Sequence, residues 1–431
     1  MNFQIHTPMC LLTSLPDDLL YRIVPDARVL LMYRTCKRMQ NVLERGWCGV
    51  DLRVLRKVNY DLRLGNLVSK DVNSLQLSFQ IRRFEYSLSV YSIQLKFCDF
   101  EELTFMHLRI LKMHSNELAE VHLLHLLHMF TFSRDLRTFE FTEQGIRCRN
   151  IPFLAQCISA FTALEVLDLN LNFMIFDSLE LVLDAVQTSS LSALTLSTNS
   201  CEDDRKTLKL CNVLHMNCNT LKVLNLSCMR LRTGEFSSLV AAIGACNHLE
   251  CLDMSRNHLH YGCLMDLLRA TAECRLKSFD WSGNRLGSAG TFVLASHITQ
   301  SHVLKTTLTE LNLRMCDVYH GLHHLGVALS LCTSLCTLDL SSNSVFAHEV
   351  VNVLAHTSLT SLDISHNNIS DYGMRLVLQR IIQSKTLRYL EFGGNHMCRR
   401  TMKEFRRMKA KLGVGMTLPK KPCMCGTCRY L

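Results

Sequence analysis

Apolar side chains recur along most of the chain in one pattern, Leu-x-x-Leu-x-Leu, often with Asn shortly after the last of them. It reads Leu164/Leu167/Leu169 with Asn172, Leu191/Leu194/Leu196 with Asn199, and Leu249/Leu252/Met254 with Asn257. It continues as Leu276/Phe279/Trp281 with Asn284, Leu335/Leu338/Leu340 with Asn343, Leu359/Leu362/Ile364 with Asn367, and Leu387/Leu390/Phe392 with Asn395. Weaker copies start at Leu108, Leu136, Leu221 and Leu308, with Asn116, Gln144, Met229 and Cys316 at the Asn position. The alternating pair, such as Leu167 and Leu169, points one way from a short strand. The Asn amide can then bond backbone groups of a turn. Between copies, apolar residues recur at three and four, as over 235–249 and 372–383, which predicts a helix per unit. The step is about 28 residues, and units of that size bury their apolar faces only by stacking.

Motif and period together resemble the leucine-rich repeat family in its ribonuclease-inhibitor-like form, over residues 108–398. The resemblance implies an α/β solenoid, a horseshoe with parallel strands on the concave face and helices outside. Cys218, Cys246 and Cys332 fall three residues before the next leading Leu, and Cys274 two before. Those positions suit small buried thiols. The Leu276-to-Leu308 step is longer than the others, which predicts a loop near 301–307. Over 51–107 the spacing fails. Val72/Leu75/Leu77 and Val90/Ile93/Leu95 suggest two strands of irregular opening repeats.

Residues 1–50 carry a different pattern. Ser14 can cap a helix with Pro16 in its first turn, and Leu15, Leu19, Leu20 and Ile23 form an apolar stripe. Pro25 breaks it, and a second stretch carries Val29, Leu30, Met32 and Tyr33 up to Cys36-Lys37-Arg38-Met39. The matches Leu15, Pro16, Asp18, Leu19, Leu20 and Ile23, then Cys36, Lys37 and Met39, resemble an F-box, a small all-α module. Thr35 stands where Val is usual, and the stretch between is shorter than the family pattern. The resemblance implies that Leu15, Pro16, Leu19, Leu20, Ile23, Leu30, Cys36, Lys37 and Met39 bind a Skp1-like adaptor of a cullin complex. The same stripe also suits an amphipathic cap that seals the first repeat.

One outward position lies between the inward side chains of each strand. Down the stack it reads Asp168, Thr195, Asn225, Asp253, Asp280, Asn312, Asp339, Asp363 and Glu391. Local bonding of each Asp within its repeat is one account. A negative stripe that selects a basic segment of a protein target is the other.

Charge changes the picture at one end only. The chain has 431 residues, 47 Lys+Arg and 38 Asp+Glu, a net +9. Residues 399–431 hold ten basic side chains and Glu404 as their one acid, so they carry the whole excess. Met402, Phe405, Met408 and Leu412 lie at helical spacing, which predicts a basic cap helix over 399–412, followed by a Cys-containing tail. Cys423, Cys425 and Cys428 are half a zinc site, for which His396 or Cys398 would have to be recruited, so no metal is expected. Cys428-Arg429-Tyr430-Leu431 also fits a prenylation box, with Cys423 and Cys425 as palmitate acceptors, although Tyr430 is a poor third residue. An unmodified tail and a lipidated one touching a membrane surface both remain open.

No phosphate-binding loop, metalloprotease helix or nucleophile elbow is present, and no nucleophile is set beside a base. His122, His125 and His128 recur every three residues, which predicts one helix edge that suits solvent or a partner better than a metal. No cofactor and no nucleic-acid partner are expected, because only the tail is basic. With 48% hydrophobic residues, no apolar run of membrane-spanning length and no basic leader, the expectation is a cytoplasmic chain of mostly free thiols among its 21 Cys. It would be membrane-associated if the tail is lipidated, with the nucleus left open. The resemblances together imply a non-catalytic substrate receptor of a ubiquitin ligase, with a stand-alone repeat-type binding or inhibitor module as the alternative.

Overall fold

The fold comes from a computed structural model. It describes residues 49–51, 86–91, 108–114, 135–142, 150–170, 172, 177–186 and 190–199, then 204–401 except 232, 235, 319, 320, 385 and 399, and finally 403, 407 and 415–417. The F-box-like residues Leu15 to Met39, the pair of Cys423 and Cys425, Cys428, and His122, His125 and His128 lie outside the described residues. The chain divides into two compact units, Met1–Asn172 with Asp184–Ser189, and Phe173–Leu183 with Ser190–Leu431.

The first unit holds β1 (Gly49–Asp51), β2 (Tyr86–Tyr91), β3 (Leu108–His114), β4 (Thr138–Thr142), α1 (Ile151–Ala160) and β5 (Val166–Asp168). Each strand pairs in parallel with the next. Two features differ from the sequence expectation. Strand β1 forms where no repeat pattern is visible. Strand β2 takes in Val90 but starts at Tyr86, ahead of the Val90/Ile93/Leu95 pattern; Ile93, Leu95 and the 72–77 copy lie outside the described residues. Around β4 the alternation holds, with Leu136, Phe139, Phe141, Leu164, Leu167 and Leu169 all buried. Phe139 stacks on Phe141 at 5.5 Å and meets Phe161 edge-on at 5.3 Å, so aromatic rings fill the space that leucines fill elsewhere.

After α2 (Asp177–Ala185), the second unit repeats one plan. Its order is β6 (Ala193–Thr195), α3 (Asp204–Met216), β7 (Val223–Asn225), α4 (Phe236–Gly244), β8 (Cys251–Asp253), α5 (Tyr261–Ala270), β9 (Ser278–Asp280), α6 (Gly287–Gln300), α7 (His302–Thr307), β10 (Glu310–Asn312), α8 (Leu322–Ser330), β11 (Thr337–Asp339), α9 (Ala347–His356), β12 (Ser361–Asp363), α10 (Asp371–Gln383), β13 (Tyr389–Glu391) and β14 (Gly415–Thr417). Every strand from β6 to β14 pairs in parallel with the next without a register shift. The middle residue of each strand from β6 to β13 is buried and its two neighbours face outward. Leu338, Leu340, Met254 and Trp281 have no exposed surface, and burying one such side chain stabilises by roughly 1.5–3 kcal/mol.

Asparagine closes the turns after β8, β9, β11 and β12. The Asn367 amide donates to Leu340 O and Ile364 O, both at 3.0 Å, while its Oδ1 accepts from the N–H groups of Asn343 and Val345, both at 2.9 Å. Asn257, Asn284 and Asn343 repeat this arrangement between their own turn and the preceding one. Each such Asn therefore satisfies backbone groups on two coils at once. The residues flanking it pay in backbone strain: Arg256 and His258 have φ of 55° and 57°, and Ser342 and Ser344 have 57° and 56°.

Helices pack closely on the other side of the strands. A Cβ on Gly373 of α10 would come within 2.6 Å of the Ala347 Cβ on α9, so only glycine permits that approach. The cysteines at the helix ends behave mainly as placed: Cys246, Cys274 and Cys332 are buried, whereas Cys218 is only half-buried. Cys274 Sγ donates to Cys246 O at 3.5 Å, linking successive repeats.

The long step before Leu308 is not a loop. Residues 302–307 form α7, capped by Ser301, whose Oγ accepts from Leu304 N at 3.1 Å. Strand β14 was also not foreseen. Gly415–Thr417 pairs beside β13 within the stretch read as cap helix and tail. Residues 399, 402, 404–406 and 408–412 of the expected cap helix lie outside the described residues. Among the described residues, no helix is long and apolar enough to cross a membrane.

Candidate partner-binding face

The third residue of each strand from β6 to β13 falls in one register column: Thr195, Asn225, Asp253, Asp280, Asn312, Asp339, Asp363 and Glu391, each opposite the next. These side chains are half-exposed. Strands one step apart lie about 4.8 Å from each other, so the carboxylates of adjacent repeats are near neighbours. In the first unit Asp168 is the partner of Glu140 in the same kind of register.

Both accounts of the column have a physical counterpart. One oxygen of each acidic or amide side chain is used locally: Asp253 Oδ1 accepts from Ser255 N at 2.9 Å, Asp339 Oδ1 from Ser341 N at 2.8 Å, and Asp363 Oδ1 from Ser365 N at 2.8 Å. Asn225, Asn312 and Asp168 do the same toward Ser227, Arg314 and Asn170, and Glu391 toward Gly393. Carboxylate and amide perform that turn equally, so the turn does not require the negative charge. The charge is costly here. Burial pushes the Asp280 carboxyl up from its ordinary range, and the Asp253 carboxylate adds to the rise. Burial raises Asp363 too, with Asp339 and Glu391 contributing through repulsion. Asn312 relieves part of this strain, its Nδ2 donating to Asp280 Oδ2 at 2.7 Å. Such a crowded column gains from a cationic partner that neutralises it.

The sequence reading took one outward position per strand, and the fold offers two. The first strand residue faces the same way as the third, which adds exposed Glu310 and Tyr389 to the face. The alternation that marks Leu311 and Leu390 as inward also marks these as outward, so the signal was present.

Reactive chemistry is not favoured at the buried thiols of Cys157, Cys246, Cys316 and Cys332. Burial pushes Cys157, Cys246 and Cys316 up to about 12 and Cys332 up to about 11, so they stay protonated near neutral pH. Cys263 Sγ lies 3.7 Å from His260 Nε2. His260 Nδ1, however, accepts from Gly262 N at 3.0 Å, which leaves the ring proton on Nε2. That nitrogen can donate to the sulfur but cannot take its proton, and the pair caps α5 instead.

A leucine-rich-repeat family model matches residues 245–262 and 355–377. Among solved structures, an internalin from Listeria monocytogenes is similar at 15% identity and a TM-score of 0.41, over 79% of this chain and 81% of that one. The family match agrees with the repeat pattern and the parallel strand–helix units over those stretches.

Proposed function

We propose that the protein is the substrate-recognition subunit of an SCF-type (Skp1–cullin–F-box) ubiquitin ligase. Residues 15–39 dock on a Skp1-like adaptor, and the strand face of the repeats holds the target. The cullin-bound machinery transfers ubiquitin in trans, so this chain supplies no catalytic group. What carries the reading is the Leu15-Pro16-x-Asp18-Leu19-Leu20-x-x-Ile23 motif ahead of a repeat stack whose strand face is a column of carboxylates and amides. The crowding of Asp339, Asp363 and Glu391 supports a target segment rich in Lys or Arg. The basic stretch 399–431, with Cys423, Cys425 and Cys428 as lipid acceptors, would add contact with an anionic membrane surface.

A pull-down of purified Skp1 by the full chain tests the adaptor half. Wild type should capture Skp1, and Leu15→Ala/Pro16→Ala should lose most of the capture. No capture by wild type overturns the receptor reading and leaves a stand-alone repeat-type binding module.

A further inference from the structure

The long repeat step between Leu276 and Leu308 builds a second helix that the other repeats lack among the described residues. Its extra residues form α7, and a cavity of about 340 Å³ opens beside it. Arg275, on the turn between α5 and β9, lines one side; His302, Val303, Thr306 and Thr307 of α7 line the other. That volume is at the small end of ordinary ligand sites.

The lining holds one arginine and no carboxylate. Arg275 is exposed and forms no ion pair among the described residues. The neighbouring cations are already engaged. Lys277 pairs with Glu250 at 2.6 Å, and Lys305 Nζ donates to Thr299 O at 3.1 Å. The threonine hydroxyls are engaged too. Thr307 Oγ1 donates to Leu276 O at 2.9 Å or Val303 O at 3.1 Å, and Thr306 Oγ1 to Val303 O at 3.0 Å. The first of these ties α7 to the turn that carries Arg275, so the two walls are fixed to each other. The donors left for a ligand are the guanidinium fork of Arg275 and the imidazole of His302.

We propose that this cavity is a binding site for a phosphate monoester presented on a serine or threonine side chain of a protein partner. A planar guanidinium matches the oxygens of a phosphoryl group two at a time, and the imidazole adds a second N–H donor. A nucleic acid would need a continuous cationic track. Here Arg275 and His302 line one short open depression, which suits a single isolated group. The site is separate from the strand-face column and does not depend on the adaptor reading.

The test titrates the full chain with inorganic phosphate, O-phosphoserine, serine and acetate at matched ionic strength, reading affinity by calorimetry. Wild type should bind phosphate and O-phosphoserine and ignore serine and acetate. Arg275→Gln and His302→Gln should each weaken phosphate binding roughly tenfold or more, as expected for a lost charge-assisted bond. Arg388→Gln, exposed beside β13, should leave it unchanged. Absent binding by wild type, equal binding by R275Q, or an equal response to acetate overturns the site. Binding of phosphate without O-phosphoserine overturns its presentation on a side chain. If R275Q and H302Q do not fold, the His302 ring resonances of wild type decide: they must shift with phosphate, and unmoved resonances overturn the proposal.

Discussion

Two kinds of turn stand side by side in the second unit. At Asn257, Asn284, Asn343 and Asn367 one amide bonds two coils; at Met229 and Cys316 the same slot holds a sulfur side chain. The difference appears one repeat earlier. The N–H of Asn257 finds the Asn284 Oδ1 at 3.0 Å, but the N–H of Asn199, which faces Met229, falls back on Leu196 O at 3.3 Å within its own turn. Cys316 recovers part of the lost role, its Sγ donating to Trp281 O at 3.3 Å. Stacking of leucines therefore sets the repeat, and the Asn amide connects each turn to the one before it. Where the amide is missing the stack persists, because Met229 and Cys316 remain fully buried and supply packing instead.

The sharpest way to break this comparison is Asn367→Ala. It would strand the N–H groups of Asn343 and Val345 and the carbonyl of Leu340 in the interior, while Ile364 O keeps its bond from the Asn395 amide at 2.9 Å. Several buried groups losing their partner together should cost about 3–5 kcal/mol, read as a drop in the urea midpoint. A loss below about 1 kcal/mol would mean that leucine packing alone holds the turns.

What the sequence made legible follows from what repeats. The Leu period placed β5 to β13, and the Asn position announced the turns, because both recur under one physical constraint. Features that occur once were missed. His302–Thr307 is too short for a helical period to show. Gly415–Thr417 has no Leu-x-Leu pattern and forms a strand through the pairing groups that β13 offers. The second outward position, with Glu310 and Tyr389, was passed over although the same alternation carries it. Arg275 and His302 are separated by the whole of α6, and only the fold brings them to one cavity.

The opposite exchange sharpens the comparison. Cys316→Asn would place an amide where the thiol now donates to Trp281 O, with Leu313 O and the Asn284 N–H as further partners on the pattern of the other turns. Stabilisation by about 1 kcal/mol is expected from the added bonds. Thermal unfolding checks it, and a destabilised variant would show that the packing around Cys316 has settled on sulfur.

The smallest effect compares amide with carboxylate in the strand-face column. Asn225 already makes the same turn as its acidic neighbours, its Oδ1 accepting from Ser227 N at 2.9 Å. Asp363→Asn should therefore keep the bond to Ser365 N while removing the repulsion from Asp339 and Glu391. Burial first, and then those neighbours, hold the Asp363 carboxyl above its ordinary range. With the folded-state value raised, the native protein binds the proton more readily than the unfolded chain. Wild type thus loses stability as pH climbs from the ordinary carboxylate value, about 3.9, through the raised one. The variant has no such loss. Its advantage should be about 0.5 kcal/mol at pH 7, the scale of a cross-strand charge pair, and should vanish by about pH 3. An advantage that persists unchanged into acid would show that repulsion is not its source. An absent advantage at pH 7 would mean that solvent already screens the column, leaving little for a basic partner to relieve.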